Sequence, residues 1–201
     1  MAAPALRRAT YQDVLDAPAH KVAEIVDGEL FLNPRPTIGH GYSSGALFAG
    51  LHDPFGKSGD GPGGWIFIIE PELHFGRGEP DVLVPDIAGW RRERLPTIDP
   101  DAPFSTLAPD WVCETLSPST ARLDRVRKLP IYARHGVPFC WLIDPAARTL
   151  ETLELDKKKT WRLTGAFADD ARVKAKPFDA VTLDLSTLWS TFKTKKKTRK
   201  R

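Results

Sequence analysis

The chain has 201 residues, of which 41% are apolar, so it is long enough for one ordinary domain with a hydrophobic core and is not typical of a disordered protein. Its formal net charge is +3, yet residues 193–201 hold seven basic and no acidic residues, and subtracting these charges leaves −4 for residues 1–192. We predict one domain over residues 1–192, followed by a disordered basic tail.

The sequence predicts neither export nor a membrane span. No run reaches the roughly 18 apolar residues that a spanning helix needs, and no apolar segment follows Arg7 and Arg8. Cys113 and Cys140 lie inside apolar runs, without the closely spaced cysteine or histidine partners of a zinc site. We therefore expect a cytoplasmic protein in which both cysteines are reduced and buried.

The first third of the chain predicts two helices, a hairpin and a loop. In order, these are a helix over 11–16, a hairpin over 24–33, a helix over 38–52 and a surface loop over 53–64. Thr10 can cap the first helix, and Asp27-Gly28 is a typical hairpin turn. Four glycines weaken the second helix, and the loop is rich in glycine and proline.

Apolar runs in the middle of the chain predict strands, and two of these strands carry an acid. The runs are residues 65–69, 72–75, 82–87 and 111–116, with an exposed connection over 91–110. Asp86 is in the third run and Glu114 is in the fourth. A buried carboxylate is costly unless it is compensated, and a metal ion could compensate both. Taken singly, Asp86 could equally be a turn residue at the end of a strand.

The next segment, 121–135, predicts a helix with capping residues before it and a glycine after it. Pro130 removes one hydrogen bond from this helix and clashes with the preceding turn. We therefore expect a kink near Lys128, or a new helix that starts at Leu129 or Pro130. The remaining elements are strands over 139–143, 149–155, 160–163 and 180–183 and a short helix over 186–192.

Several of these segments resemble one known family. Residues 84–90, 111–120 and 136–145 follow one another in the order and spacing of the Uma-two-type family of bacterial restriction endonucleases, and the resemblance covers roughly residues 11–155. This family belongs to the PD-(D/E)XK nuclease superfamily. The resemblance implies a single α/β domain, with a restriction-endonuclease-like mixed β-sheet flanked by helices. It also implies metal-dependent hydrolysis of DNA and, because similar proteins often form dimers, a homodimer.

The same resemblance implies a site. Asp86 and Glu114 would ligate Mg²⁺ or Mn²⁺ with the Thr115 carbonyl, and Lys128 would orient or deprotonate the attacking water. Superfamily members usually carry this lysine two residues after the glutamate, where this chain has Leu116. The family's pattern places it on the following helix instead. Few protein ligands suit phosphodiester hydrolysis, because they leave positions on the ion open for water and phosphate.

Other polar residues are weaker candidates for the site. Glu72 is a candidate further metal ligand, because family members often carry an acid in a comparable strand. Glu24 and Glu29 are strand acids that could equally face solvent. His40 matches a family position at the start of a helix, where a capping or structural role is the simpler interpretation. Tyr132 is expected to be a core residue with a polar tip.

Structural interpretations remain open for the principal candidates. Glu114 could pair with Arg122 or Arg125, and Lys128 could be a solvated helix residue paired with Asp124. These interpretations lead to two alternative functions. One is a nucleic-acid-binding protein that kept the fold without the chemistry, and the other is a structural or oligomerising protein.

Deletion of residues 193–201 tests whether the basic tail contacts DNA or is only solvated. If it contacts phosphates, the truncated protein should bind DNA more weakly, with a shallower dependence of log affinity on log salt, because each lysine or arginine contact releases counterions. Fluorescence anisotropy across a salt series measures both quantities, and metal binding should be unchanged. An unchanged salt slope would mean that the tail contacts no phosphate.

Overall fold

The structure is a computed structural model that describes residues 7–57, 61–76, 78 and 80–192, so the predicted tail over 193–201 lies outside the described residues. The helices are α1 Tyr11–Leu15, α2 Ile38–Leu51, α3 Ala121–Leu123 and α4 Leu129–Arg134, with π-helical turns His52–Gly56 and Asp124–Lys128 and a 3-10 turn Leu185–Leu188. The strands are β1 Lys21–Val26, β2 Glu29–Pro34, β3 Trp65–Ile69, β4 Leu73–Phe75, β5 Asp81–Leu83, β6 Ile87–Arg91, β7 Trp111–Thr115, β8 Phe139–Asp144, β9 Thr149–Leu155, β10 Trp161–Ala168, β11 Arg172–Val173 and β12 Leu183–Asp184.

The strands form two main sheets and a small ribbon. One sheet has six strands in the order β10-β9-β8-β7-β6-β3, the other has four in the order β2-β1-β5-β4, and β11 pairs with β12. Strands β7 and β8 run parallel, and the segment that contains α3 and α4 makes the crossover that a parallel pair requires. This mixed sheet with flanking helices confirms the predicted fold class. None of the described helices is long and apolar enough to cross a membrane.

Strand β7 lies inside the six-stranded sheet, and all five of its residues are buried. Successive side chains of a strand point to opposite faces. Trp111 and Cys113 pack into the core beneath α2, whereas Val112 packs into the core beneath α3 and α4. By the same alternation, Glu114 faces α3 and α4, and Thr115 faces α2. Glu114 and Thr115 are adjacent on β7, and their side chains therefore point to opposite faces of the sheet.

The hairpin of β1 and β2 confirms the predicted turn. Asp27 and Gly28 both have positive φ, 53° and 82°, as a two-residue hairpin turn of type I′ requires. The two strands pair antiparallel along their whole length. Glu24 is on the same face of β1 as Val26, which packs into the core beneath α4. The hairpin thereby turns Glu24 towards the interior.

The strand predicted over 82–87 is wrong, because the chain passes from one sheet to the other in its middle. Strand β5 belongs to the four-stranded sheet and β6 to the six-stranded sheet. Pro85 between them has no N–H to donate to a strand ladder. The Val84 N–H donates instead to Glu24 Oε1 at 2.8 Å. Asp86 therefore stands at the junction of the two sheets.

The helix predicted over 121–135 is interrupted beside Lys128, which confirms the predicted restart. In the π-helical turn, the Leu129 N–H bonds to the Asp124 carbonyl. Helix α4 begins at Leu129, with Pro130 in its first turn. Proline fits there, because the missing N–H is one that the start of a helix leaves unpaired. The interpretation of Lys128 as a solvated residue is wrong, since its side chain is buried.

The C-terminal elements differ in length from those predicted. The strand expected over 180–183 is reduced to the two residues of β12, and the helix expected over 186–192 is a single 3-10 turn. Strand β10 is longer than the predicted 160–163, because its pairing with β9 continues beyond a register shift between Leu163 and Gly165. Cys113 and Cys140 are free and buried, as predicted.

Replacement of Pro130 tests the interrupted helix. Pro130→Ala should lower the free energy of unfolding by about 0.5–1 kcal/mol, because the proline restricts the unfolded chain and is tolerated in the first turn of α4. Urea denaturation followed by circular dichroism measures the change. A variant more stable than the wild type would show that the ring strains the helix rather than fitting its start.

Candidate active site

Asp86 is fixed at the junction of the two sheets by bonds on either side. Its Oδ2 accepts a hydrogen bond from the Thr115 N–H of β7 at 2.6 Å. Its backbone carbonyl accepts one from the Glu70 N–H at 3.0 Å. Its other carboxylate oxygen, Oδ1, lies 3.3 Å from His40 Nε2 of α2. One oxygen of Asp86 is therefore committed to the fold, and the other faces a second candidate residue.

Glu114 is buried and is held from the helical side of β7. Its Oε1 accepts a hydrogen bond from the Tyr132 hydroxyl at 2.6 Å and lies 2.8 Å from Lys128 Nζ. The alternative interpretation, in which Glu114 pairs with an arginine, is wrong: its partners are Lys128 and Tyr132, and Arg125 pairs with Glu151. Tyr132 is a buried residue with a polar tip, as predicted. These contacts on Oε1 leave Oε2 as the oxygen of Glu114 that a ligand could use.

The Lys128 ammonium lies among carboxylates from three different elements. It is 2.9 Å from Glu24 Oε1, 2.8 Å from Glu114 Oε1 and 3.6 Å from Asp124 Oδ1. It also donates to the Val84 carbonyl at 3.4 Å. All four charged side chains are buried. The pair with Asp124 that helical spacing predicted is present, but it is the longest of the three.

Burial and mutual attraction shift the pKa values of this cluster. Burial alone lowers the pKa of Lys128, but the carboxylates of Glu114 and Glu24 outweigh it and raise that pKa well above its usual value. Burial raises the pKa of Glu114 well above its usual value, although Lys128 opposes the shift. Burial likewise raises the pKa of Asp124 to about 6. Lys128 is therefore held protonated among acids that it does not fully neutralise.

Helix α2 supplies the opposite wall. The His40 N–H donates to Thr37 Oγ1 at the start of the helix, at 3.3 Å, so the capping side chain is that of Thr37. Burial lowers the pKa of His40, but Asp86 and the backbone of Thr115 outweigh it and raise that pKa. One turn later, Ser44 Oγ lies 2.8 Å from Thr115 Oγ1. The structural role predicted for His40 is therefore incomplete, because its ring reaches the candidate site.

A cleft of about 280 Å³ is lined by Asp86, Glu114, Thr115 and Lys128 together with Glu24, His40 and Asp124. Its charged lining comprises five acids and two basic residues, namely Glu24, Glu70, Asp86, Glu114, Asp124, Arg35 and Lys128. Among the residues that the structure describes, no group of three or more His, Cys, Asp or Glu side chains is arranged to hold a metal ion. A divalent ion in this cleft would therefore also need backbone, water or substrate oxygens.

The structure brings together four of the five predicted site residues. Asp86, Glu114, Thr115 and Lys128 all line the cleft, whereas Glu72 is not among its lining residues. Glu72 Oε1 instead lies 2.7 Å from His74 Nε2. Glu72 therefore pairs with His74, two residues further along the chain, and not with Asp86.

Sequence reasoning missed two acids of the cleft. The sequence is equally compatible with a solvent-facing Glu24, although its alternation with Val22 and Val26 favours the inward face of β1. Glu70 follows β3 with a positive φ of 47°, an uncommon conformation for a non-glycine residue. Hydrophobic periodicity does not predict the position of a residue at such a turn, so the place of Glu70 in the cleft could not be predicted from the sequence.

Comparison with known proteins supports the expected family. A family model described as "Uma2: Putative restriction endonuclease" matches residues 9–186. The chain belongs to this Uma2 family. The match includes every residue of the cleft named above. No curated protein matches the chain significantly.

A solved structure has the same fold. It is a crystal structure, at 1.96 Å resolution, of a protein described as "a putative nuclease belonging to DUF820" from Anabaena variabilis ATCC 29413. The two proteins share 22% sequence identity with a TM-score of 0.72, and the similarity covers 90% of this chain and 98% of the other. The likeness establishes that the whole domain architecture is shared.

The raised pKa of Asp124 predicts a pH dependence of stability. Burial raises this pKa to about 6, against roughly 3.9 in an unfolded chain. Between these values the folded state keeps a proton that the unfolded state has lost, so this contribution to stability falls as the pH rises from about 4 to about 6. The Asp124→Asn variant should lack this contribution. Its free energy of unfolding, relative to that of the wild type, should therefore rise by roughly 2–3 kcal/mol between about pH 4 and about pH 6.

Urea unfolding of the wild type and Asp124→Asn at several pH values from 4 to 7 measures this difference. Subtracting one profile from the other removes the contributions of acids outside the cluster. Parallel profiles would show that Asp124 titrates alike in the folded and unfolded states, contrary to its burial beside Lys128.

Proposed function

We propose that this protein is a divalent-metal-dependent nuclease that hydrolyses phosphodiester bonds in DNA. The observation that carries the proposal is the convergence of Asp86, Glu114 and Lys128 in one cleft. These residues come from the sheet junction, β7 and the interrupted helix, so their meeting is a result of folding rather than of sequence proximity. Membership of a family described as "Putative restriction endonuclease" supports a nuclease.

The donor groups present suit Mg²⁺ or Mn²⁺. Asp86 and Glu114 each have one oxygen fixed by hydrogen bonds or by an ion pair, which leaves Asp86 Oδ1 and Glu114 Oε2 for a ligand. Thr115 follows Glu114 on the same strand and donates its N–H to Asp86 Oδ2, and its carbonyl is the third donor of the proposed set. Mg²⁺ is usually held by one or two carboxylates together with waters and substrate phosphates. A site with two carboxylates and one carbonyl matches this coordination preference.

The charge of the cleft also supports a cation. Five acids line it against two basic side chains and His40, and this excess of acids disfavours a phosphodiester anion unless a cation is bound. A divalent ion, when bound, supplies charge neutralisation and activation of a water molecule. At the outer wall, Arg35 and the hydroxyls of Ser117 and Ser119 can donate to phosphate oxygens. The acids would then contact the ion, while Arg35 and the two serine hydroxyls would contact the DNA backbone.

Lys128 fits one of its two expected roles better than the other. A general base must be deprotonated before the reaction, but the pKa of Lys128 is raised well above its usual value by Glu114 and Glu24. The protonated amine can instead donate a hydrogen bond to the attacking water and so orient it. We therefore assign Lys128 an orienting role. The predicted homodimer and the choice of DNA over RNA remain parts of the proposal.

Substitution of the two acids tests the proposal. Asp86→Asn and Glu114→Gln should each lose binding of Mn²⁺ and lower the rate of plasmid nicking by a factor on the order of a thousand. Glu93→Gln, in an exposed connection, is the matched control and should behave as the wild type. Titration calorimetry with Mn²⁺ and a nicking assay provide the two readouts.

Substitution of Lys128 should separate metal binding from phosphodiester cleavage. Lys128→Met, once circular dichroism shows that it is folded, should retain most of the Mn²⁺ affinity but lose nicking, because its task arises at the chemical step. A wild-type protein with no heat of Mn²⁺ binding would contradict the proposed mechanism, as would Lys128→Met that nicks as fast as the wild type. Wild-type protein that binds Mn²⁺ and DNA without nicking would instead favour a binding protein on this fold.

A further inference from the structure

Strand β2 is an edge of the four-stranded sheet, with β1 as its neighbour on the inner side. Val26 and Glu29 flank the two-residue turn and therefore form a hydrogen-bonded pair. Hydrogen-bonded and non-hydrogen-bonded pairs alternate along an antiparallel ladder. The N–H and C=O groups of Leu30 and Leu32, and the C=O of Pro34, therefore point away from β1. This edge offers a row of donors and acceptors to another strand.

The other edges of the two main sheets carry features that limit further pairing. Beside β4, the Ser105 backbone bonds to Glu72 and His74. Beside β3, the Arg92 side chain donates to the Trp65 carbonyl at 3.3 Å. Strand β10 has a register shift, and such irregularities hinder edge-to-edge pairing. Strand β2, by contrast, keeps an unbroken register over its six residues.

The side chains of β2 make this edge complementary to a copy of itself. Leu30 and Leu32 are 37% and 43% exposed, and alternation places them on the same face as Pro34. Glu29 precedes the leucines and Arg35 follows β2, and both charged residues are exposed. When such a strand pairs antiparallel with its copy, the apolar centres meet and each acid lies opposite a base, which is the favourable cross-strand arrangement.

We infer that β2 is the interface between two copies of this chain, paired antiparallel about a twofold axis at Leu32. This isologous contact would join the two four-stranded sheets into one sheet of eight strands. Leu32 then exchanges N–H···O bonds with its counterpart, and the Leu30 N–H donates to the Pro34 carbonyl of the second copy. Glu29 lies opposite Arg35 of the second copy. The inference does not depend on the proposed nuclease activity.

This interface adjoins the candidate site. Asn33, Pro34 and Arg35, which follow Leu32 directly, line the cleft. Within one chain, Arg35 Nη2 donates to the Ala19 carbonyl at 3.2 Å, a neutral acceptor. Glu29 of the second copy would add a charged partner, and the five N–H groups of the guanidinium leave others for a phosphate. The dimer would therefore orient a basic group at the mouth of the cleft.

Substitution of Leu32 tests the surface. Sedimentation velocity should show that the full-length wild type is a dimer, and that Leu32→Asp raises the dimer Kd by a factor on the order of a hundred, because like charges then lie opposite each other at the axis. Leu163→Asp is the matched control, since Leu163 is a 60% exposed leucine on the edge strand β10. It should dimerise as the wild type does. Circular dichroism checks that both variants are folded.

A charge exchange tests the register. Glu29→Arg and Arg35→Glu should each raise the dimer Kd about tenfold, because each places like charges opposite one another. The double variant with both changes should restore most of the affinity. Single effects that simply add in the double variant would show that the two residues do not meet across the axis.

Oxidative cross-linking tests the position of the axis. The Cα atoms of a hydrogen-bonded antiparallel pair lie about 5.5 Å apart, within the span of a disulfide, so Leu32→Cys should form a covalent dimer. Leu30→Cys should not, because in this register its two copies lie on the order of 13 Å apart along the strands. The native cysteines are buried and should not interfere.

The outcomes separate this inference from the proposed function. A monomeric wild type at micromolar concentrations, or a dimer that persists in Leu32→Asp and dissociates in Leu163→Asp, would overturn the interface and leave the metal-dependent nuclease standing. Cross-linking of Leu30→Cys in place of Leu32→Cys would contradict the axis at Leu32. A protein that dimerises through β2 but neither binds Mn²⁺ nor nicks DNA would overturn the proposed function alone.

Discussion

The Lys128 ammonium is buried and contacts carboxylates that three separate elements supply. Glu24 comes from the hairpin, Glu114 from the six-stranded sheet, and Asp124 from the turn before Lys128 itself. Removal of the Lys128 ammonium would leave the buried carboxylates without a counter-charge, at a cost of about 3–5 kcal/mol. The cluster therefore specifies how the hairpin, the sheet and the interrupted helix meet, and the geometry of the cleft depends on it.

The same cluster determines where the proposed metal ligands stand. Besides pairing with Lys128, Glu24 accepts hydrogen bonds from the Val84 N–H and from Asn33 Nδ2, both at 2.8 Å. The bond to Val84 fixes the chain just before Pro85, at the point where it changes sheet. Asp86 follows directly, so the position of one candidate metal ligand is set by contacts of a different acid. Under the proposed function, neighbouring carboxylates of one cleft thus divide structural and metal-binding roles between them.

The sequence predicted the parts of this arrangement that depend on local order. The Asp27-Gly28 turn and the helix restart at Pro130 follow from backbone chemistry, and Asp86 and Glu114 follow from the ordered motifs of the family. The change of sheet within 82–87 was missed, although a proline inside a strand is a signal against an unbroken strand.

Side-chain partners were harder to predict because they depend on which faces meet. Glu24 and Glu72 both lie in or beside short strands, and nothing in their spacing shows that the first meets Lys128 and the second meets His74. The burial of Lys128 also required the fold, because helical spacing predicted only its pair with Asp124. The π-helical turn before α4 has no sequence period of its own.

Direct location of the ion is the sharpest test of the central claim, that Asp86 and Glu114 form a divalent-metal site beside Lys128. Crystals soaked in Mn²⁺ can be measured at a wavelength where manganese scatters anomalously. The account predicts an anomalous peak in the cleft within coordination distance of both carboxylates and the Thr115 carbonyl. An empty cleft at saturating Mn²⁺, with Glu114 still closed on Lys128 and Tyr132, would contradict it.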